Sequence, residues 1–195
     1  MARPSKAPER IQQISEATIR TIAKYGYAET TLDRIAEESG LARGHIRHYA
    51  GNRQEVIRAA AKSYYFGENG SSSFFPEDLD SVDSAVNFLF GKEFIGTREE
   101  NVVIFGFIEA ARADSEISQI LLKAYLGAEK ELAILLKAEY PKVPSAHFKN
   151  IAFSIISIAI HNVFLLDISS SANTTALAKA SAHLALKSLK DWKVE

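Results

Sequence analysis

Apolar residues recur along this chain at helical spacing, and convincing period-two alternation is absent. Ile11, Ile14, Thr18, Ile22 and Tyr25 fall on one stripe of a helix that Gly26 is placed to close. Thr30 or Thr31 can cap a second, short helix that turns Leu32, Ile35 and Ala36 inward, and Gly40 ends it. A third helix runs from about Ala42 to Tyr49, and Gly51-Asn52 breaks it. A fourth starts near Arg53 and runs through Val56, Ile57 and Ala60 towards Phe66. The Gly- and Ser-rich stretch from Gly67 to Asp80, with Pro76, reads as a flexible connection. Beyond it, helices are expected near 81–95, 99–113, 115–139, 145–168 and 174–191. The chain is therefore predicted to be all-α, with about nine helices. A small N-terminal module over 1–52 precedes a larger helical body over 53–195.

The segment 32–49 has the form of a helix-turn-helix. Gly40 supplies a turn residue without a Cβ, and Leu41 an apolar residue to tuck between the helices. On the second helix, Ala42, Ile46 and Ala50 share one side, with Tyr49 at its edge. The opposite side carries Gly44, His45, Arg47 and His48, with Arg43 at the helix start. Arg and His donors opposite a thin apolar face suit a major groove, and Gly44 permits close backbone approach. On the helical pattern alone, a hairpin with an ordinary solvated charged face remains the alternative.

Charge is distributed to match. Residues 1–58 carry a net +3 and residues 59–195 a net −4, so one end of the molecule is suited to phosphate. Cysteine is absent, which excludes disulfides, thiolate zinc sites and cysteine nucleophiles. The five histidines show no metal-ligand pair at i, i+4, and the sequence has neither a phosphate-binding glycine loop nor a nucleophile motif. An enzyme, a metal site and a cofactor are accordingly not expected. Met1 to Pro8 lacks the apolar core of a signal peptide, so a cytoplasmic location is expected.

Residues Asn150 to Leu166 are uncharged. A membrane span needs about 20 predominantly apolar residues, whereas this run is shorter and holds Ser154, Ser157, His161 and Asn162. A helix apolar on nearly every face is expected to be buried on several sides. The last helix, rich in Ala with Leu177, Leu184 and Leu189, permits close approach of another helix. Pairing of 145–168 and 174–191 with the same helices of a second copy would satisfy both; burial within one chain is the alternative.

Residues 9 to about 60 resemble the TetR family of bacterial regulators. The resemblance is carried by Arg10, Ile11 and Ala17, by Tyr25 to Thr31, and by Ile35 to Gly44. It continues without gaps through Ile46-Arg47-His48-Tyr49 and Gly51 to Val56. The form Gly-x-Ile-x-His-Tyr is closest to the BetI-like subgroup, and Phe107 to Ile117 is a fainter echo of it. The resemblance implies a regulator, expected to be a repressor, that binds palindromic operator DNA as a homodimer and is released by a small apolar or amphipathic effector.

It further implies that Thr31 and Tyr49 contact phosphate, that Arg43, Gly44, His45, Arg47 and His48 face the groove, and that Arg53 clamps a further phosphate at a helix N-terminus. One departure is Ala50, which stands where the family usually has a bulky aromatic; its small side chain is expected either to leave space or to have it filled by a neighbour such as Tyr49 or Phe66. For the effector, Phe88, Phe105, Glu109, Tyr125 and His161 are the candidate pocket residues, although aromatic residues at helical spacing are more often plain core. A regulator of the same fold without a small-molecule ligand is the alternative.

Overall fold

Local signals start and stop most of the helices. In the computed structural model, which describes residues 7–67, 70, 74–169 and 173–190, α1 spans Ala7–Tyr25. It ends where Gly26, at φ 80°, donates its N–H to Ile22 O at 2.8 Å. Helix α2 (Leu32–Ser39) is capped by Thr31, whose hydroxyl accepts from Arg34 N at 3.3 Å. Its end is Gly40 at φ 68°, a left-handed backbone that favours glycine. Helix α3 spans Arg43–Ala50 and α4 spans Arg53–Tyr65. The start of α4 is a capping box: Asn52 Oδ1 accepts from Gln54 N and Glu55 N, and Glu55 Oε2 accepts from Asn52 N at 2.7 Å.

The expected helix over 81–95 is two helices, α5 (Val82–Leu89) and α6 (Lys92–Ile95). Between them Gly91 N bonds to Phe88 O at 2.9 Å, and a Cβ at Gly91 would stand 2.9 Å from Asn87 O. Only glycine fits that tight reversal, so ten helices are formed among the described residues, not about nine. The remainder are α7 (Arg98–Ala111), α8 (Ser115–Glu139), α9 (Ser145–Ile168) and α10 (Thr175–Lys190).

Packing divides the chain into two compact units. The first comprises residues 1–73 with 99–124, the second 74–98 with 125–195. This grouping cuts across the expected boundary at 52/53, because Val56 of α4 closes the same small core as Ile14, Ala17, Ile35 and Ile46. Within the first unit, α7 also lies against α1 and the α1–α2 connection through Gly106, where an added Cβ would meet Ile22 Cγ2 at 2.8 Å. Phe107 is fully buried, with Tyr64 and Tyr65 ring centroids at 5.6 and 6.1 Å.

A buried ion pair ties α4 to the start of α8. Asp114, 3% exposed, accepts from Arg58 Nε at 2.8 Å and from the backbone N–H groups of Glu116 and Ile117. Burial raises the Asp114 carboxyl pKa, but hydrogen bonds from Arg58, Ile117 N, Gln54 and Glu116 N outweigh it and hold the value below the usual 3.8. A group depressed in the folded state adds stability above its unfolded pKa and loses it as pH falls through the folded value. The stability advantage of wild type over Asp114→Asn is therefore expected to be full at neutral pH and to shrink as pH drops below about 4. Urea unfolding at a series of pH values checks this; a difference independent of pH would refute it.

The second unit has a larger core. Val82, Val86 and Leu89 of α5 meet Leu132 and Leu136 of α8, Phe148, Ile155 and Ile156 of α9, and Leu186 and Leu189 of α10. The junction of α9 and α10 is polar: Asn162, 1% exposed, accepts from Thr174 Oγ1 at 2.7 Å and donates to Thr175 Oγ1 at 3.2 Å. Asn162 thus satisfies the start of α10 within one chain.

The other side of α9 is open. Phe153, Ile160, Phe164 and Ile168 are 37–61% exposed at near-helical spacing, and Leu177 and Leu184 of α10 are 70% and 68% exposed. Among the described residues α9 is the one helix long and apolar enough to cross a membrane, with mean hydropathy 2.0. Its expected burial on several sides is half met in a single chain: Ala152, Ile155, Ile156, Ala159 and Val163 are core, and the opposite stripe is uncovered.

Candidate nucleic-acid interface

Helix α3 has one fully buried residue, Ile46. Ile46 is fully buried against Ile14, Ala17, Ile35 and Val56, while Arg43, Gly44, His45, Arg47 and His48 are exposed. The five residues expected to face a groove therefore lie together on the outer side of a short helix. Ala42 offers no side-chain cap at its N-terminus, which leaves the first amides oriented towards any approaching anion. Around Gly44 an added Cβ would find nothing within 4 Å, so backbone approach there is open.

Tyr49 and Ala50 both pack against the small core. Tyr49 is half-buried, with the His48 ring edge-on at 4.8 Å between centroids. Thr31 is exposed at the start of α2, and its hydroxyl already serves as the cap.

Arg53 Nε donates to Thr30 O at 2.5 Å and its Nη2 to Tyr27 O at 2.6 Å, and its guanidinium lies 4.7 Å from the Tyr27 ring centroid. These bonds tie α4 to the α1–α2 connection. One residue that sequence spacing did not single out also joins the face. Asp33, in the first turn of α2, accepts from Arg43 Nη1 at 3.1 and 3.0 Å through its two carboxylate oxygens. The two are ten positions apart and meet only because α2 and α3 are folded against each other.

The candidate effector residues are distributed over both units. Phe88 and Tyr125 belong to a ring cluster in the second unit: Phe74 stands 5.5 Å from Phe94 and 5.8 Å from Tyr125, and Phe88 stands 5.7 Å from Phe94 and 6.0 Å from Phe75. Phe105 is half-buried on α7 of the first unit. Glu109 is exposed on α7, and His161 is exposed on α9, stacked on Phe164 at 6.5 Å. These last two face outward because they sit on the sides of their helices away from each unit's core. An open cleft of about 420 Å³ beside the ring cluster is lined by Pro76, Leu79, Asn87, Phe88 and Lys92 among others.

Comparison with known proteins places the interface in context. The sequence model of the bacterial regulatory proteins, tetR family, matches residues 14–60. The HTH-type transcriptional regulator BetI of Stenotrophomonas maltophilia (strain R551-3) is 34% identical over 62 residues, 32% of this chain and 32% of that protein. The chain thus matches about a third of the length of the curated relatives it resembles. Among solved structures, a protein of Pseudomonas aeruginosa PAO1 described as a transcriptional regulator superposes with TM-score 0.73 at 14% identity, over 96% of this chain and 93% of that one. The multidrug binding protein EbrR complexed with proflavin superposes with TM-score 0.61 at 14% identity, over 90% of this chain and 99% of that one. At these identities the likeness is one of fold.

Proposed function

We propose, from the match of residues 14–60 to the bacterial regulatory proteins, tetR family, that the chain is a cytoplasmic transcriptional repressor of that family that binds a palindromic operator as a homodimer. The observation that carries this reading is the outer face of α3, where Arg43, His45, Arg47 and His48 are exposed around one buried anchor, Ile46. Such a helix fits the major groove, where Arg reads guanine O6 and N7. A single short helix reads few bases, and a dimer places two of them about 34–36 Å apart, one turn of DNA. The uncovered stripe on α9 and α10 supports the dimer, since contiguous apolar surface on a lone soluble chain is uncommon. The same pairing accounts for a helix of membrane-span hydropathy in a protein read as soluble.

Selection from a random duplex library tests the reading. A palindromic winner bound by a dimer, with affinity that falls steeply with salt, supports it; no enrichment over random DNA refutes it. Arg47→Ala is expected to cost about 1–3 kcal/mol per half-site on the winner and to change binding to a scrambled duplex little. Equal losses on both duplexes would contradict a base-reading role for Arg47.

The effector is proposed to be a small apolar or amphipathic molecule that engages the region of Phe88 and Tyr125 and shifts the dimer between two shapes. The solved EbrR neighbour holds proflavin, which makes proflavin a practical first probe. A second reading, a regulator without a ligand, is favoured by the ring cluster itself, whose centroids at 5.4–6.0 Å are those of aromatics packed on one another. Saturable proflavin binding that weakens operator affinity favours the first; its absence favours the second.

A further inference from the structure

We propose that Asp33 is a selectivity residue of this interface, which holds Arg43 off random phosphate and releases only part of its guanidinium to a matching base edge. The inference rests on the DNA-binding reading above. Asp33 takes two bonds from the single nitrogen Nη1 of Arg43, at 3.1 and 3.0 Å, and the side chains are 68% and 57% exposed. An ion pair so exposed contributes little to stability, and the start of α2 already has its cap in Thr31. The neighbouring Arg34 is committed elsewhere, to the Glu29 carboxylate at 3.1 Å, to Glu29 O at 3.0 Å and over the Tyr25 ring at 4.4 Å. Asp33 is thus paired with the first residue of the recognition helix, on the surface proposed to meet a polyanion.

A carboxylate in that place opposes binding to any phosphate, so its effect must be read as a difference between two complexes. On a matching site Arg43 keeps Nη1 on Asp33, and its Nη2 and Nε meet the base acceptors; the pair orients the fork without being broken. On random DNA no base edge matches, and Arg43 gains only by turning to a phosphate. That exchange breaks both bonds to Asp33 and brings an uncompensated carboxylate near the backbone. Asp33 accordingly penalises the random complex more than the matching one, as a positioning residue for Arg43.

The test uses the full chain, with a winner selected from a random-core duplex library and a scrambled duplex of the same length. For Asp33→Asn, affinity for the scrambled duplex is expected to rise about fivefold per subunit, the size of one screened charge interaction at contact distance. Its salt slope should steepen by about one per subunit as Arg43 takes a phosphate. Affinity for the winner should change less, so the ratio of the two falls. In an Arg43→Ala background the same change should leave that ratio unaltered. Equal strengthening on both duplexes would mean plain charge repulsion and would overturn the proposal, as would a ratio effect that persists without Arg43. Weaker binding to both duplexes with a lower melting temperature would assign Asp33 to the helix start alone and overturn it too. If the wild type enriches no sequence, the DNA-binding reading falls and the proposal with it.

Discussion

Replacement of Phe153 and Phe164 together by Glu is expected to give a folded monomer that binds the selected operator about 10²–10⁴-fold more weakly than wild type. The side chains are 59% and 45% exposed, on the same outer stripe of α9 as Ile160 and Ile168. The core side of α9 is made by other residues, Phe148, Ala152, Ile155, Ile156 and Ala159, so the fold of one chain should survive the change. In the proposed dimer each Phe is buried in both copies, and burial of one such side chain is worth about 1.5–3 kcal/mol. Carboxylates in its place add the cost of burying charge. The loss on DNA follows from the loss of linkage between two reading heads, which sets the stated range. Light scattering after size exclusion, helical circular dichroism and operator titration check the three parts. A wild-type monomer, or a variant that remains a dimer, would remove α9 as the interface.

The second large effect is predicted at Gly106, whose substitution by Val should destabilise the protein by about 3 kcal/mol. In an isolated helix, replacing glycine is favourable by a few tenths of a kcal/mol to about 1, so the sign itself is diagnostic. A Cβ at this position would stand 2.8 Å from Ile22 Cγ2 and 3.3 Å from Tyr27 Cβ. Ile22 is fully buried and has no room to yield. Tyr27 is held from the other side, its carbonyl bonded to Arg53 Nη2 at 2.6 Å. Relief therefore requires α7 to move away from α1, or the α1–α2 connection to shift and drag Thr30 and the cap of α2 with it. A melting temperature lower by roughly 6–12 °C is expected for a chain of this size. Operator affinity should fall further than the population of folded protein explains, because the distortion reaches the start of the helix-turn-helix. A melting temperature equal to or above wild type would show that α7 is not packed as described.

Much of the architecture could be read locally. The caps of α2 and α4, Gly26 and Gly40 after α1 and α2, and the apolar spacing of Ile14, Ile22, Ile35 and Ile46 are properties of a few consecutive residues. Backbone conformation and amphipathic faces follow from these directly. The outer face of α3 was legible for the same reason: Ile46 opposite Arg43, His45, Arg47 and His48 is a matter of helical period, and the structure places each on the expected side. The division of 81–95 at Gly91 was not, because a lone glycine near the end of an apolar helical pattern is compatible with either outcome until the close approach of Asn87 O is known.

Side-chain assignments depended on what each group meets after folding. Arg53 at a helix N-terminus reads as an anion site, and its Nε and Nη2 also bond the carbonyls of Thr30 and Tyr27. Asn162 in an apolar helix finds its partners at the start of α10, in Thr174 and Thr175. Glu109 and His161 read as candidate pocket residues, and their exposure in a single chain is a property of the folded helices. Asp33 and Arg58 find their partners 10 and 56 positions away. Thus the sequence by itself determined the helical class, the short helix α3 and its exposed face, since these follow from short-range backbone preference and period. Tertiary structure alone decided which polar groups stay exposed and which bond within the fold, because a hydrogen bond between distant residues depends on the relative placement of whole helices.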